Sequence, residues 1–116
     1  MNYDHWRNYA SGWVFHFIGK PDIAYAAYAE AFRIDPRDVR PARHLAAIAA
    51  DRQRWDLAES WFEKVLAVQP EDADTWFNLG FVREHAGKAE AAIIAFGEAV
   101  RIKPTQDRAW YGKGLA

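Results

Sequence analysis

Apolar, small and proline positions recur along this chain with one spacing. Pro36, Pro70 and Pro104 stand 34 residues apart, and the same step links Gly12, Ala46, Gly80 and Gly114. It also links Ala24, Ala58 and Ala92; Tyr28, Phe62 and Phe96; and Ala31, Val65 and Ala99, so each column keeps a size class. Each period holds two stretches of helical periodicity. In residues 73–86, Trp76, Leu79, Gly80 and Arg83 share one face at i, i+3, i+4 and i+7, with Asp72 or Asp74 placed to cap the start. In residues 88–102, Ala92, Phe96, Ala99 and Val100 do the same, and His85-Ala86-Gly87-Lys88 breaks the two apart. This pattern predicts helices near 5–18, 21–34, 40–52, 55–68, 74–86 and 88–102, with a seventh from about 107. Pro21 and Pro41 fall in first turns, where the missing N–H costs little. No segment alternates with period two, so no sheet is expected.

The columns also say how the hairpins associate. Small residues on the first helix (Gly12, Ala46, Gly80) and on the second (Ala24, Ala58, Ala92) permit close axial approach, while Tyr28, Phe62 and Phe96 fill the wedge toward the next hairpin. The expected fold is an all-α, right-handed superhelical solenoid of helix-turn-helix units. It forms one domain over 1–116, with repeats at about 5–38, 39–72 and 73–106 and an extra or capping helix at 107–116. Trp110 and Gly114 repeat the first half of a fourth unit, which favours a chain cut from a longer array.

Composition removes several function classes. Fifteen Lys and Arg balance sixteen Asp and Glu, spread evenly over the repeats, so no basic face is laid out for nucleic acid. No run approaches the length of a membrane span, and the N-terminus lacks the pattern of a signal peptide; the expectation is a soluble, cytoplasmic protein. Without cysteine there is no thiolate nucleophile and no Cys-type zinc site. Phosphate loops, nucleophile elbows and the His-Glu-x-x-His pair are missing, and His5, His16, His44 and His85 form no i, i+4 metal pair. Each is read as a solvated or hydrogen-bonded side chain. The expectation is a protein that is not an enzyme and needs no cofactor or metal. Glu59 with Glu63, and Glu98 with Arg101, are read as solvent faces of second helices.

With Trp76, Leu79-Gly80, Ala92, Phe96, Ala99 and Pro104 in order, residues 73–106 resemble the tetratricopeptide repeat (TPR) family, with Arg83 where that family prefers an aromatic. Residues 39–72 keep Leu45, Ala46, Ala58, Phe62 and Pro70, and residues 5–38 keep Gly12, Phe15, Ala24, Tyr28, Ala31 and Pro36. The resemblance implies a binding scaffold. Members that resemble chaperone-tail binders hold a terminal carboxylate with Lys, Asn and Arg at positions occupied here by Tyr9, Trp13, His44, Asp74 and Asn78, so that ligand class is rejected.

On the first helix the core face is expected to be Asn8, Ser11, Gly12, Phe15 and Ile18. Trp6, Tyr9, Trp13 and Phe17 form a second stripe, which in such a solenoid faces the concave groove, joined by Phe77, Phe81 and Tyr111. Between these aromatic walls lie Ala47 and Ala50, with Arg40 and Arg43 at the lip. The arrangement predicts a groove for a peptide or helical segment that offers a bulky apolar side chain and an acidic group. Three readings stand beside it: a structural stripe, self-association into homo-oligomers, and a repeat fragment that positions a partner inside a larger enzyme or secretion assembly.

Overall fold

In the computed structural model, residues 3–104 are described, and they form six helices in sequence: α1 (Tyr3–Phe17), α2 (Pro21–Ile34), α3 (Arg40–Asp51), α4 (Trp55–Val68), α5 (Ala73–His85) and α6 (Ala89–Ile102). Consecutive helices pair into three hairpins, and α2 meets α3 and α4 meets α5 to join them. The described residues contain no strand and span 43 × 27 × 20 Å. The expected seventh helix, with Trp110, Tyr111 and Gly114, lies outside the described residues.

The same local chemistry ends each second helix. α2, α4 and α6 stop two residues short of Pro36, Pro70 and Pro104. The residues before these prolines, Asp35, Gln69 and Lys103, all leave the helical region (φ −138°, −126° and −130°; ψ 88°, 77° and 82°), because a proline ring clashes with an α-helical predecessor. The turn inside each hairpin also repeats at a step of 34. Gly19, Gln53 and Gly87 occupy positive φ (81°, 59° and 82°), the left-handed conformation that closes a helix C-terminus. Gln53 takes it despite its Cβ.

The glycine and aromatic columns meet inside the hairpins, where the sequence had set the aromatics in the wedge toward the next hairpin. A Cβ on Gly12 would stand 2.7 Å from the Tyr28 ring, and one on Gly80 would stand 2.8 Å from the Phe96 ring, so only hydrogen fits between the two helices of these hairpins. Tyr28, Phe62 and Phe96 are all buried. Trp61 is shared by the three buried clusters, and its indole N–H donates to the Tyr25 hydroxyl at 2.7 Å, tying α4 to α2.

Two expectations need correction. Ile18 is exposed beyond the end of α1, and the α1 core includes His5, fully buried with Nδ1 2.6 Å from the Ala31 carbonyl oxygen and Nε2 2.8 Å from Asp38 Oδ2. Glu59 is not on a solvent face. It accepts from Arg83 Nε at 2.8 Å and Lys88 Nζ at 2.7 Å, and Arg83 also reaches the Ala91 carbonyl oxygen. An arginine in an aromatic column is thus accommodated by a carboxylate on the preceding second helix. Burial opposes ionisation of Glu59, but the hydrogen bonds from Lys88 and Arg83 outweigh it and lower its pKa.

The Tyr28 hydroxyl is buried without a hydrogen-bond partner among the described residues, and burial pushes its phenol up to about 12. The corresponding residues of the other two repeats are Phe62 and Phe96, which carry no such group. Tyr28→Phe removes an unpaired polar atom at almost constant shape. It is expected to raise stability by about 1 kcal/mol in urea unfolding; a loss would show that the hydroxyl is satisfied by solvent.

Candidate functional site

Trp13 and Phe17 lie one helical turn apart on α1, and their rings stack at 5.6 Å with a 10° interplanar angle. They are 53% and 78% exposed, which is unusual for large aromatics already in mutual contact. With His16 and His44 they line a cavity of about 250 Å³. The α3 residue His44 therefore joins the first hairpin to the second on this side.

Tyr9 and Trp6 belong to a neighbouring cluster. Trp6 stacks on Tyr9 at 6.2 Å, while Tyr9 meets Tyr28 edge-on at 5.8 Å. The guanidinium of Arg40 sits 4.6 Å from the Tyr9 ring centre, and the Tyr9 hydroxyl is 3.3 Å from His44 Nε2. Tyr9 is thus half-buried and partly structural. Arg40 is also engaged by Asp38, at 2.9 Å from Nε and 2.6 Å from Nη2. The hydrogen bond from Arg40 is the main reason the Asp38 carboxyl is held well below the usual carboxylate range.

A second cavity, of about 350 Å³, opens between α3 and α5, lined by Arg43, Ala47, Phe62, Asp72, Asp74, Thr75 and Asn78. Arg43 pairs with Asp72 and donates to Gln69 Oε1 at 2.8 Å, and the Thr75 hydroxyl donates to Asp72 at 2.7 Å. Burial works against the Asp72 charge, but the Thr75 hydrogen bond and the Arg43 charge prevail, and its pKa is lowered.

The expected residues therefore come together only in part. Trp13 joins Phe17, Trp6 joins Tyr9 and Arg40, and Arg43 joins Ala47. Phe77 packs on Phe96 at 5.4 Å and Phe81 on His85 at 4.2 Å, and neither lines the two cavities. Tyr111 is outside the described residues. The lip arginines are not open cations: each already holds a carboxylate of this chain, so an acidic partner would have to displace Asp38 or Asp72. His16 and His44 were not anticipated as lining residues. The step of 34 gives the signal that was available, since it places His44 between Ala10 and Asn78 in one column.

His44 supplies a pH dependence. Its pKa is lowered, first by burial, then by the charges of His16 and Arg40. A depressed folded-state pKa favours the neutral ring, so its stabilisation is complete above the ordinary value of about 6.5 and is lost as pH falls through that value. The melting temperature is expected to hold from pH 8 to about 6.5 and then decline toward pH 5, with a further decline below about pH 4 as Asp38 and Asp72 protonate. In His44→Asn the upper step should vanish; its persistence in thermal melts would assign it elsewhere.

Three helical hairpins with a 34-residue register, glycine-aromatic contacts and proline stops define a helix-turn-helix repeat solenoid. The tetratricopeptide repeat model matches residues 39–105, and the chain belongs to that family. Superkiller protein 3 of Saccharomyces cerevisiae is 29% identical over 76 residues, which is 66% of this chain and 5% of that protein. The chain thus spans a small fraction of the length of that relative. Among solved structures, MamA superposes with a TM-score of 0.87 at 22% identity, covering 96% of this chain and 65% of the other. The first TPR of Spaghetti, bound to an HSP90 peptide, superposes with a TM-score of 0.86 at 18% identity over 97% and 89% of the two chains. At these identities the structures establish the fold.

Proposed function

We propose that this chain is a non-catalytic interaction module that holds a peptide or helical segment of a partner protein, with the Trp13–Phe17 stack as its anchor. The tetratricopeptide fold is a protein-interaction scaffold, and a neighbour of the same fold is described with a peptide bound. The observation that carries the reading is a pair of stacked aromatics, both mostly exposed, at the edge of a cavity shared by two hairpins. Such rigid aromatic surface has little side-chain entropy left to lose on binding, which favours hot spots. The cavity is lined by Trp13, His16, Phe17 and His44, with no carboxylate among these four, so the segment it suits presents a bulky apolar group there. With the lip arginines already paired, the acidic character expected of the partner rests on displacement and contributes less than the aromatic contact.

The test is selection of binding peptides from a random display library against the whole chain, followed by calorimetric titration. Trp13→Ala is expected to weaken the selected peptide by about 2 kcal/mol while leaving the melt close to that of the parent, because Trp13 is not in the buried clusters. Undiminished affinity would remove the stack from the site.

A further inference from the structure

One face of the first helix stays open in each of the three hairpins, but only on α1 is it aromatic. Tyr3, Trp6, Ala10, Trp13 and Phe17 follow one another at intervals of three and four, the spacing of a seam that pairs one helix with another. Steps of 34 carry them to Arg37, Arg40, His44, Ala47 and Asp51 in and just before α3, and to Glu71, Asp74, Asn78, Phe81 and His85 in and just before α5. In all three sets the third position is half-buried and the other four are exposed. α3 leaves them open although a hairpin flanks it on either side, so stacking between repeats does not cover this face. Arg7, Ser11 and Val14 on the adjoining outer face differ, since their counterparts Pro41, Leu45 and Ile48 are buried. What sets the α1 stripe apart is its chemistry: four large aromatics stand where the other two first helices carry mostly charged or polar groups.

The stripe is symmetric about Ala10. Tyr3 and Phe17 lie seven residues to either side of it, and Trp6 and Trp13 lie four before and three after. Ala10 is the small member of the set and adjoins a hollow of about 400 Å³ bordered by Tyr3, Trp6 and Val14. Two such helices, antiparallel about a two-fold axis beside Ala10, approach closely at Ala10, set each Trp6 against Trp13 of the other copy and each Tyr3 against Phe17 of the other copy. Every contact is then made twice, as in an isologous dimer. The stripe holds no charged residue, and Asp4 and Arg7 at its border already pair with each other at 3.4 Å, so two copies meet without repulsion.

The area is sufficient. Tyr3, Trp6, Trp13 and Phe17 are 74%, 48%, 53% and 78% exposed. At about 200 Å² for a whole aromatic side chain these fractions amount to roughly 500 Å² per copy. Two copies together reach the roughly 1,000 Å² expected of a specific interface. Neither of the other first helices offers a matching strip, since α3 has Arg37 and Asp51 at the two ends of its own and α5 carries Phe81 as its one aromatic there.

We propose that this stripe is a self-recognition site, and that the helical segment it holds is α1 of a second copy of this chain, antiparallel across a two-fold axis at Ala10. The proposal rests on the reading of the Trp13–Phe17 stack as an anchor and names its partner. An interface of this size gives a dimer that forms as concentration rises.

Sedimentation equilibrium of the whole chain over a concentration series is expected to show monomer and dimer in exchange. Tyr3→Lys and Phe17→Asp, both at largely exposed positions outside the buried clusters, should each weaken the dimer by roughly tenfold or more with circular dichroism unchanged. Antiparallel pairing also fixes a direction. With both substitutions on one chain, opposite charges face each other at both ends of the pair, and the dimer should be several-fold tighter than that of Phe17→Asp alone. A monomer at every concentration, a dimer indifferent to the single substitutions, or a double variant weaker than either single one would overturn the proposal. A strict monomer that still captures library-selected peptides through Trp13 would do so while leaving the peptide reading intact, with a foreign segment as the occupant. A dimer indifferent to these substitutions, in a chain whose peptide affinity is undiminished by Trp13→Ala, would remove both.

Discussion

Phe62→Ala is expected to lower the unfolding free energy by about 3–5 kcal/mol, the range for deleting a buried phenyl ring. Phe62 lies in the cluster formed by Ala46, Ala49, Ala58, Leu66, Leu79, Val82 and Ala95, which draws on four helices from the second and third hairpins. The small residues around it cannot expand to refill the space, and the fixed spacing of stacked helices resists collapse. Loss of the ring also uncouples α4 from α5. Denaturant unfolding followed by far-ultraviolet circular dichroism measures the change; a shift under about 1 kcal/mol would mean the hairpins are held together elsewhere.

Gly80→Leu is expected to cost about 3 kcal/mol by the opposite error, forcing volume into a packed contact. Even a Cβ at Gly80 would stand 2.8 Å from the Phe96 ring, and that ring is itself buried and has little freedom to withdraw. Gly97 provides the contrast. It lies inside α6 with no atom within 4 Å of a built Cβ, so Gly97→Ala gains helix propensity without a clash and should stabilise by about 0.5–1 kcal/mol. Opposite signs for the two glycines in the same unfolding assay are the expected result. If both destabilise, the Gly80 effect reflects α5–α6 crowding in general rather than its place beneath Phe96.

The helices, their order and their ends were legible in the sequence because each rests on local chemistry. The prolines stop α2, α4 and α6 through steric conflict with the preceding residue, and Gly19 and Gly87 allow the left-handed turn that Gln53 also adopts. The small and aromatic columns were legible too, because a 34-residue repeat keeps the same size classes in each hairpin, but that Gly12 meets Tyr28 and Gly80 meets Phe96 within a hairpin was decided by the packing. The exposed Trp13–Phe17 pair followed from helical spacing alone.

The tertiary structure decided which polar groups found one another. Arg43 reaches Asp72 and Gln69, Arg83 reaches Glu59, and His5 reaches Asp38, across sequence separations of 24 to 33 residues. Helical periodicity fixes the direction of a side chain around its own axis, but these pairings depend on how far neighbouring helices are rotated and shifted against each other. That is set by the packing of the whole stack. The lip arginines consequently appear in the sequence as cations open to a ligand and in the fold as partners of the chain's own carboxylates, while the outer face of α1 is exposed as apolar surface only because no helix of the described chain covers it.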